Sequence, residues 1–118
     1  MGMRLPWWLP FGAVPEVTAP ALSRALGQGA PPQLVDVRTA REFAHGHIEG
    51  AINVPVTELA ARLPGLSLDR ARPVVAICLS AHRSIPAVRL LRGHGLEARQ
   101  LAGGMLAWRA RGLPERTS

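Results

Sequence analysis

The single cysteine, Cys78, is the residue of this sequence best suited to nucleophilic chemistry. It lies between the apolar run 74–77 and the short polar loop 79–83, in the stretch AICLSAHRSIPAV. A lone thiol is either a buried structural residue or a reagent. One cysteine cannot form an internal disulfide, so we expect a reducing compartment and a cytoplasmic protein.

The residues that follow Cys78 favour a reactive thiol over a buried structural one. A helix is predicted to begin at Ser84, with Pro86 in its first turn, where a missing amide hydrogen costs least. If the loop turns back over the sulfur, its amides and the first helical amides point at the sulfur atom. A helix N-terminus stabilises an anion, so this setting lowers the pKa of the thiol, and Arg83 adds positive charge. We therefore predict a reactive thiolate at Cys78.

The elements that must position this thiol alternate along the chain. Apolar and β-branched runs predict strands at 16–17, 33–37, 51–54, 73–78 and 97–101. Capping residues and glycines predict helices at 19–26, 40–44, 57–63, 84–92 and 105–110. This alternation is typical of an α/β fold with a parallel sheet covered on both faces. Ligands of such sheets bind at the carboxyl ends of the strands, which is where Cys78 lies.

Length and charge restrict the classes of partner. The chain has 118 residues, 47% of them apolar, which fits one folded domain. All of its 14 basic residues are arginine, and the net charge is +6, which favours anionic partners. There is no run of five like charges and there are few aromatic residues, so no nucleic-acid partner is expected.

We divide the chain into an apolar extension (1–14), a domain (15–114) and a tail (115–118). The apolar run of the extension is broken by prolines and is too short to span a membrane. Trp7, Trp8 and Phe11 are expected to pack on the domain. The alternative is a weak contact of the Trp7–Trp8 pair with a membrane or with a partner.

Three segments resemble signatures of rhodanese domains, in the same order and across most of 15–114. They are LVDVRTAREFAHGHIEGAINVP (34–55), CLSAHRS (78–84) and LAGGMLAWRARGLP (101–114). The resemblance implies a three-layer α/β/α fold with a five-stranded parallel sheet. It also implies a cofactor-free sulfurtransferase that takes a sulfane sulfur from a donor such as thiosulfate. Cys78 would hold that sulfur as a persulfide and pass it to a thiol or cyanide, or to an acceptor protein.

The length of the loop separates this chemistry from its nearest alternative. Four residues lie between Cys78 and Arg83, whereas relatives that act as phosphatases or arsenate reductases have five. The shorter loop suits sulfur and the longer one a tetrahedral phosphate. Leu79 stands where several thiosulfate-using relatives carry a basic residue, and Ala81 where many carry glycine. A second alternative is a non-enzymatic sulfur carrier or protein-docking module.

The resemblance also distributes roles among the site residues. Cys78 would be the nucleophile, and the active-site loop would bind the donor through Leu79, Ser80, Ala81, His82, Arg83 and Ser84. Asp36 and Arg38 end the strand expected to flank that of Cys78. We expect Asp36 to order the backbone, Arg38 to meet substrate or form an ion pair, and Glu42 to pair with Arg83.

Two further groups of residues are interpreted as structural. His45 and His47 have no other ligand at a suitable spacing, so we predict packing beneath a turn and no metal site. Trp108 is expected in the core. Gly103 and Gly104 are expected to allow a close approach of the last helix.

Overall fold

The predicted alternation of strands and helices is confirmed. A computed structural model describes residues 7–8 and 12–117. Its strands are β1 (Glu16–Val17), β2 (Gln33–Asp36), β3 (Ile52–Asn53), β4 (Val74–Ile77) and β5 (Ala98–Leu101). Its α-helices are α1 (Ala19–Leu26), α2 (Ala40–His45), α3 (Val56–Arg62), α4 (Ser84–Gly93) and α5 (Gly104–Ala110). A 3-10 turn, Leu63–Gly65, follows α3. Element ends differ from the predicted ones by at most one residue.

The strands form one parallel sheet in the order β1-β5-β4-β2-β3. β4 is therefore central, between β5 and β2, and Ala76 pairs with Val35 on one side and with Gln100 on the other. This arrangement confirms the expected α/β fold with a five-stranded parallel sheet. It also places the end of β2, with Asp36, beside the end of the strand that precedes Cys78.

The continuous apolar run of β4 follows from burial on both faces of the sheet. Val74 and Ala76 belong to a core cluster that also contains residues of α3 and α4. Val75 and Ile77 belong to a second cluster that contains residues of α1 and α5. Because successive side chains point to opposite faces, one short strand contributes to both cores. These two cores fix the end of β4, and with it the position of Cys78.

Trp7 of the extension and Arg116 of the tail both contact the domain. Trp7 packs against the cluster on the α3–α4 face, as expected, while Trp8 remains 60% exposed. The predicted packing of Phe11 lies outside the described residues. In the tail, Arg116 exchanges two backbone hydrogen bonds with His47. No helix among the described residues is long and apolar enough to cross a membrane.

Candidate active site

The loop after β4 folds back over the sulfur, as predicted. Cys78 is only 1% exposed, and the Arg83 amide donates a hydrogen bond to its Sγ atom at 3.2 Å. The backbone amides of Ser80, His82 and Ser84 also stabilise negative charge on the sulfur. Arg83 is the N-cap of α4 and its side chain makes no capping hydrogen bond, while its own amide donates to the sulfur at the start of the helix. The loop and the start of α4 thus form a cradle of amides around Sγ.

The balance between burial and these amides sets the acidity of the thiol. Burial disfavours the anion and raises the pKa of Cys78. The surrounding backbone amides stabilise the thiolate and together outweigh burial, so the pKa of Cys78 is lowered from its ordinary value. The cradle therefore makes the anionic form of the Cys78 sulfur easier to reach than that of an ordinary thiol.

We expect iodoacetamide to alkylate Cys78 with a pH midpoint below that of an ordinary thiol. Only the thiolate is alkylated, so the rate should rise with pH through the lowered pKa and then level off. The matched control is the same chain in urea, because it contains no other cysteine. A midpoint in the folded protein at or above that of the unfolded chain would contradict the cradle.

Ala81 carries the strain that the loop requires. Its φ is 68°, and it is the one non-glycine residue with positive φ in the part of the chain that the structure describes. An L-residue in this region loses about 1–2 kcal/mol to crowding between Cβ and the backbone. The departure seen in the sequence, alanine where many relatives have glycine, therefore has a physical cost.

Ala81→Gly should raise the free energy of unfolding by about 0.5–1 kcal/mol. Relief of strain outweighs the ~0.5–1 kcal/mol that glycine's extra freedom in the unfolded chain costs. Urea unfolding would measure the change. The exposed loop residue Ala71, whose φ is not positive, is the matched control. Ala71→Gly should destabilise, and equal effects at both positions would count against the strain at Ala81.

An ion pair holds the outer side of the loop. The Arg83 guanidinium donates to both carboxylate oxygens of Glu42, at 2.5 and 2.8 Å, which confirms the predicted pairing. This hydrogen bonding lowers the pKa of Glu42 to about 2 and raises that of Arg83. Glu42 itself is fixed by the capping box that it forms with Thr39 at the start of α2. Helix α2 is thereby tied to the loop around Cys78.

Glu42→Gln should lower stability by about 1–2 kcal/mol at neutral pH, a value discounted because the carboxylate is partly exposed. The pKa of Glu42 in the folded protein lies below its ordinary value of 4.5. The contribution of Glu42 is therefore full above that value and is lost as the pH falls through about 2. Urea unfolding of the unmodified protein and of Glu42→Gln across this pH range should show their free energies of unfolding becoming equal at low pH. Glu58→Gln, at an exposed pair, is the control and should change little.

Asp36 and Arg38 form a second, fully buried pair. The guanidinium of Arg38 donates to both oxygens of Asp36, at 2.9 and 2.7 Å, and to the carbonyl oxygen of Gly46 at 2.8 Å. The side chain of Asn53 donates to the backbone oxygens of both residues. Asp36 orders the backbone as expected, because it also accepts from the Arg38 amide. Of the two roles considered for Arg38, the ion pair is confirmed, because a paired and buried guanidinium cannot meet substrate.

Helix α5 supports the loop from the other side. The amide of Met105 donates to the carbonyl oxygen of Cys78 at 2.8 Å, and that of Leu106 to Leu79 at 3.0 Å. This contact confirms the predicted close approach at the glycine pair. A Cβ atom at Gly104 would collide with the carbonyl oxygens of Cys78 and Leu79. Glycine at this position is therefore a condition for seating the helix.

The remaining loop side chains divide between solvent and core. His82 is exposed, and its Nδ1 lies 3.1 Å from Ser80 Oγ. Ser84 is buried and donates to Gln100 at 2.7 Å, while Gln100 donates to Glu16 at 2.8 Å. Sequence reasoning missed Gln100, which fixes the first residue of α4. The available signal was a polar residue within a predicted strand of a sheet expected to be covered on both faces.

Of the other residues interpreted as structural, His47 and Trp108 are packed as expected, whereas the packing expected for His45 beneath the turn is not found. His47 is buried, stacks on Phe43 with ring centroids 3.7 Å apart, and contacts the Phe43 carbonyl oxygen through Nδ1 at 2.8 Å. His45 is exposed. Within the described residues no three His, Cys, Asp or Glu side chains are grouped so that they could hold a metal ion. Trp108 is in the core and donates to the Pro114 carbonyl oxygen at 2.9 Å.

Comparison with known proteins agrees with this geometry. The sequence model of the Rhodanese-like domain matches residues 18–111. A sulfurtransferase of Allochromatium vinosum is 36% identical over 103 residues, which cover 86% of this chain and 94% of that protein. The crystal structure of a rhodanese-related protein from Thermoplasma volcanium has a TM-score of 0.80 at 28% identity. It covers 89% of this chain and 100% of its own.

A further relative contains this region as one part of a longer chain. An HTH-type transcriptional regulator of Mycobacterium tuberculosis is 49% identical over 83 residues. The match covers 69% of the present chain but only 36% of the regulator. The chain therefore spans about a third of one curated relative and nearly all of the other.

Proposed function

The chain belongs to the rhodanese-like domain family, and on this basis we propose that it is a sulfurtransferase that carries a sulfane sulfur on Cys78 as a persulfide. The observation that carries the proposal is the amide cradle around Sγ at the carboxyl end of β4. A cradle of this kind stabilises an anionic sulfur, whether the resting thiolate or the terminal sulfur of a persulfide. Membership of the family supports the class of reaction, and the cradle supports Sγ of Cys78 as the reacting atom.

The first half-reaction loads the enzyme. The thiolate of Cys78 attacks the outer sulfur of the donor, forming the new S–S bond while the donor's own bond to that sulfur breaks. With thiosulfate, the thiolate and the dianion yield the persulfide anion and sulfite, so charge and atoms balance. The near-complete burial of Cys78 suits a donor that offers a narrow terminal sulfur atom.

The second half-reaction unloads the enzyme. Cyanide, or the thiolate of a small molecule or acceptor protein, attacks the outer sulfur of the persulfide, and Cys78 leaves as the thiolate. The leaving thiolate is stabilised by the same amides that lower its pKa. The two half-reactions predict ping-pong kinetics. The four residues between Cys78 and Arg83 favour this chemistry over phosphate or arsenate chemistry, for which relatives use a longer loop.

Intact-mass spectrometry tests the proposal directly. The protein is incubated with thiosulfate, and separately with mercaptopyruvate or a low-molecular-weight persulfide, and then with cyanide or a thiol. We expect a gain of one sulfur atom per chain, followed by its discharge to the acceptor. Failure to gain sulfur from any of these donors would refute the sulfurtransferase.

The transcriptional regulator among the relatives favours one second candidate. A domain of this kind that is part of a regulator suggests a sulfur carrier or protein-docking module that acts without turnover. The substitution Cys78→Ala would leave the binding of such a module to its partner unchanged. The module would also show no repeated transfer of sulfur from donor to acceptor. Steady-state cyanide consumption therefore separates the two candidates.

A further inference from the structure

A small cleft of about 310 Å³ adjoins the loop that surrounds Cys78. Its volume lies at the lower end of the range for small-molecule pockets, ~300–1,000 Å³, and is ample for a six-membered ring. Its lining comes from the Trp7–Trp8 pair, the start of α3, the loop and the first turn of α4. The lining residues are Trp7, Trp8, Val56, Thr57, His82, Arg83 and Pro86.

The two indoles of this cleft come from outside the region shared with the family, which begins at residue 18. Trp7 is partly buried against the core cluster on the α3–α4 face. Trp8 leaves 60% of its surface in solvent. One indole is therefore anchored, and the other offers apolar surface that a ligand in the cleft can cover.

The charge around the cleft disfavours a small dianion. Among the described residues that line it, the guanidinium of Arg83 is the one permanent cation, and Glu42 already binds it through two hydrogen bonds. Leu79, next to Cys78, adds no charge. The sulfonate end of thiosulfate carries charge that this cleft does not match, whereas an apolar group suits the indoles, Val56 and Pro86.

We propose that the cleft binds the apolar organic group of the sulfur donor, and that Trp7 and Trp8 are specificity-determining residues for it. This inference rests on the proposed sulfurtransferase function. The donor class that fits is an organic thiosulfonate, in which one apolar group replaces a charged oxygen of thiosulfate. It presents a monoanionic sulfane sulfur to Cys78 and an apolar group to the indoles.

The transfer step balances for this class. The thiolate of Cys78 attacks the terminal sulfur of the thiosulfonate, and the bond between that sulfur and the sulfonyl sulfur breaks. Its electron pair leaves with the organic sulfinate. One thiolate and one thiosulfonate anion thus yield one persulfide anion and one sulfinate anion, with no further oxidant or reductant.

Benzenethiosulfonate and methanethiosulfonate make a matched pair of probes, because they share the reacting end and differ in the apolar group. The readout is the kcat/KM for benzenethiosulfonate divided by that for methanethiosulfonate, measured by sulfinate release with cyanide as acceptor. Trp8→Ala should lower the ratio about threefold, and the double variant Trp7→Ala/Trp8→Ala about tenfold or more. The reason is that the benzene ring of the probe loses the apolar indole surface against which it would be buried. Thiosulfate turnover should change less than about twofold, because thiosulfate has no apolar group for the indoles to cover.

Controls separate specificity from folding. Ile52→Ala removes another exposed apolar side chain, 41% exposed on β3 and outside the cleft, and should leave the ratio unchanged. Trp7 packs on the core, so circular dichroism and thermal unfolding accompany every variant. Trp8→Ala alone keeps the test valid if the double variant does not fold.

Two outcomes distinguish failure of this inference from failure of the proposed function. An unchanged ratio in a folded Trp8→Ala protein that still turns over thiosulfate overturns the inference and leaves the sulfurtransferase standing. If no donor loads Cys78, the proposed function fails. Binding of benzenesulfinate, monitored by quenching of indole fluorescence, then tests whether the cleft binds an apolar group. Binding that is weaker in Trp8→Ala than in Ile52→Ala supports the cleft, and equal binding overturns it.

Discussion

Cys78→Ser is expected to abolish sulfur transfer, with a loss of at least about a thousandfold in turnover with any donor. A serine hydroxyl at this position is a much weaker acid than a thiol and cannot form a persulfide. The chain offers no replacement, because it contains no other cysteine. The variant should therefore gain no sulfur in intact-mass spectra under conditions that load the unmodified protein fully.

The serine variant should nevertheless remain folded. A serine oxygen can accept the amide hydrogen bonds that Sγ receives, so the loop keeps its main acceptor. Circular dichroism and urea unfolding establish that loss of transfer is not loss of fold. A folded Cys78→Ser protein that still gains one sulfur atom would place the carrier elsewhere and refute the assignment of Cys78.

Gly104→Ala is expected to destabilise the protein and to impair sulfur loading together. Gly104 has a φ of 58°, and an added Cβ would collide with the backbone oxygens of Cys78 and Leu79. These atoms cannot move away cheaply, because they accept the hydrogen bonds from Met105 and Leu106 that seat α5. Crowding and the loss of these hydrogen bonds should cost about 2–4 kcal/mol beyond the backbone strain.

Gly112→Ala is the matched control, because its φ of 64° imposes similar backbone strain while nothing lies within 4 Å of the added Cβ. Backbone strain should lower the free energy of unfolding of both variants. Only Gly104→Ala should lose further stability and gain sulfur more slowly. Urea unfolding gives the first difference, and the rate of sulfur gain by mass spectrometry gives the second. Equal effects in the two variants would show that α5 does not need its close approach to the loop.

Much of the fold was predictable because its signals are local. The apolar run before Cys78, the caps Thr18 and Thr39 and the glycines at helix ends depend on residues near each other in the chain. The pairing of Glu42 with Arg83 was also predicted, and the structure confirms it. Their separation of 41 positions carries no local signal.

The order of the elements, the position of the single cysteine and the length of the loop that follows it can be read from the sequence alone. Each of these depends on residue type and on spacing along the chain. Tertiary structure decided which groups surround the sulfur: the strain at Ala81, the anchoring of Ser84 by Gln100, and the burial of Arg38 against Asp36. It also brought the two indoles of the extension beside the loop. Such contacts join segments far apart in the chain, so only the packing of helices on both faces of the sheet could settle them.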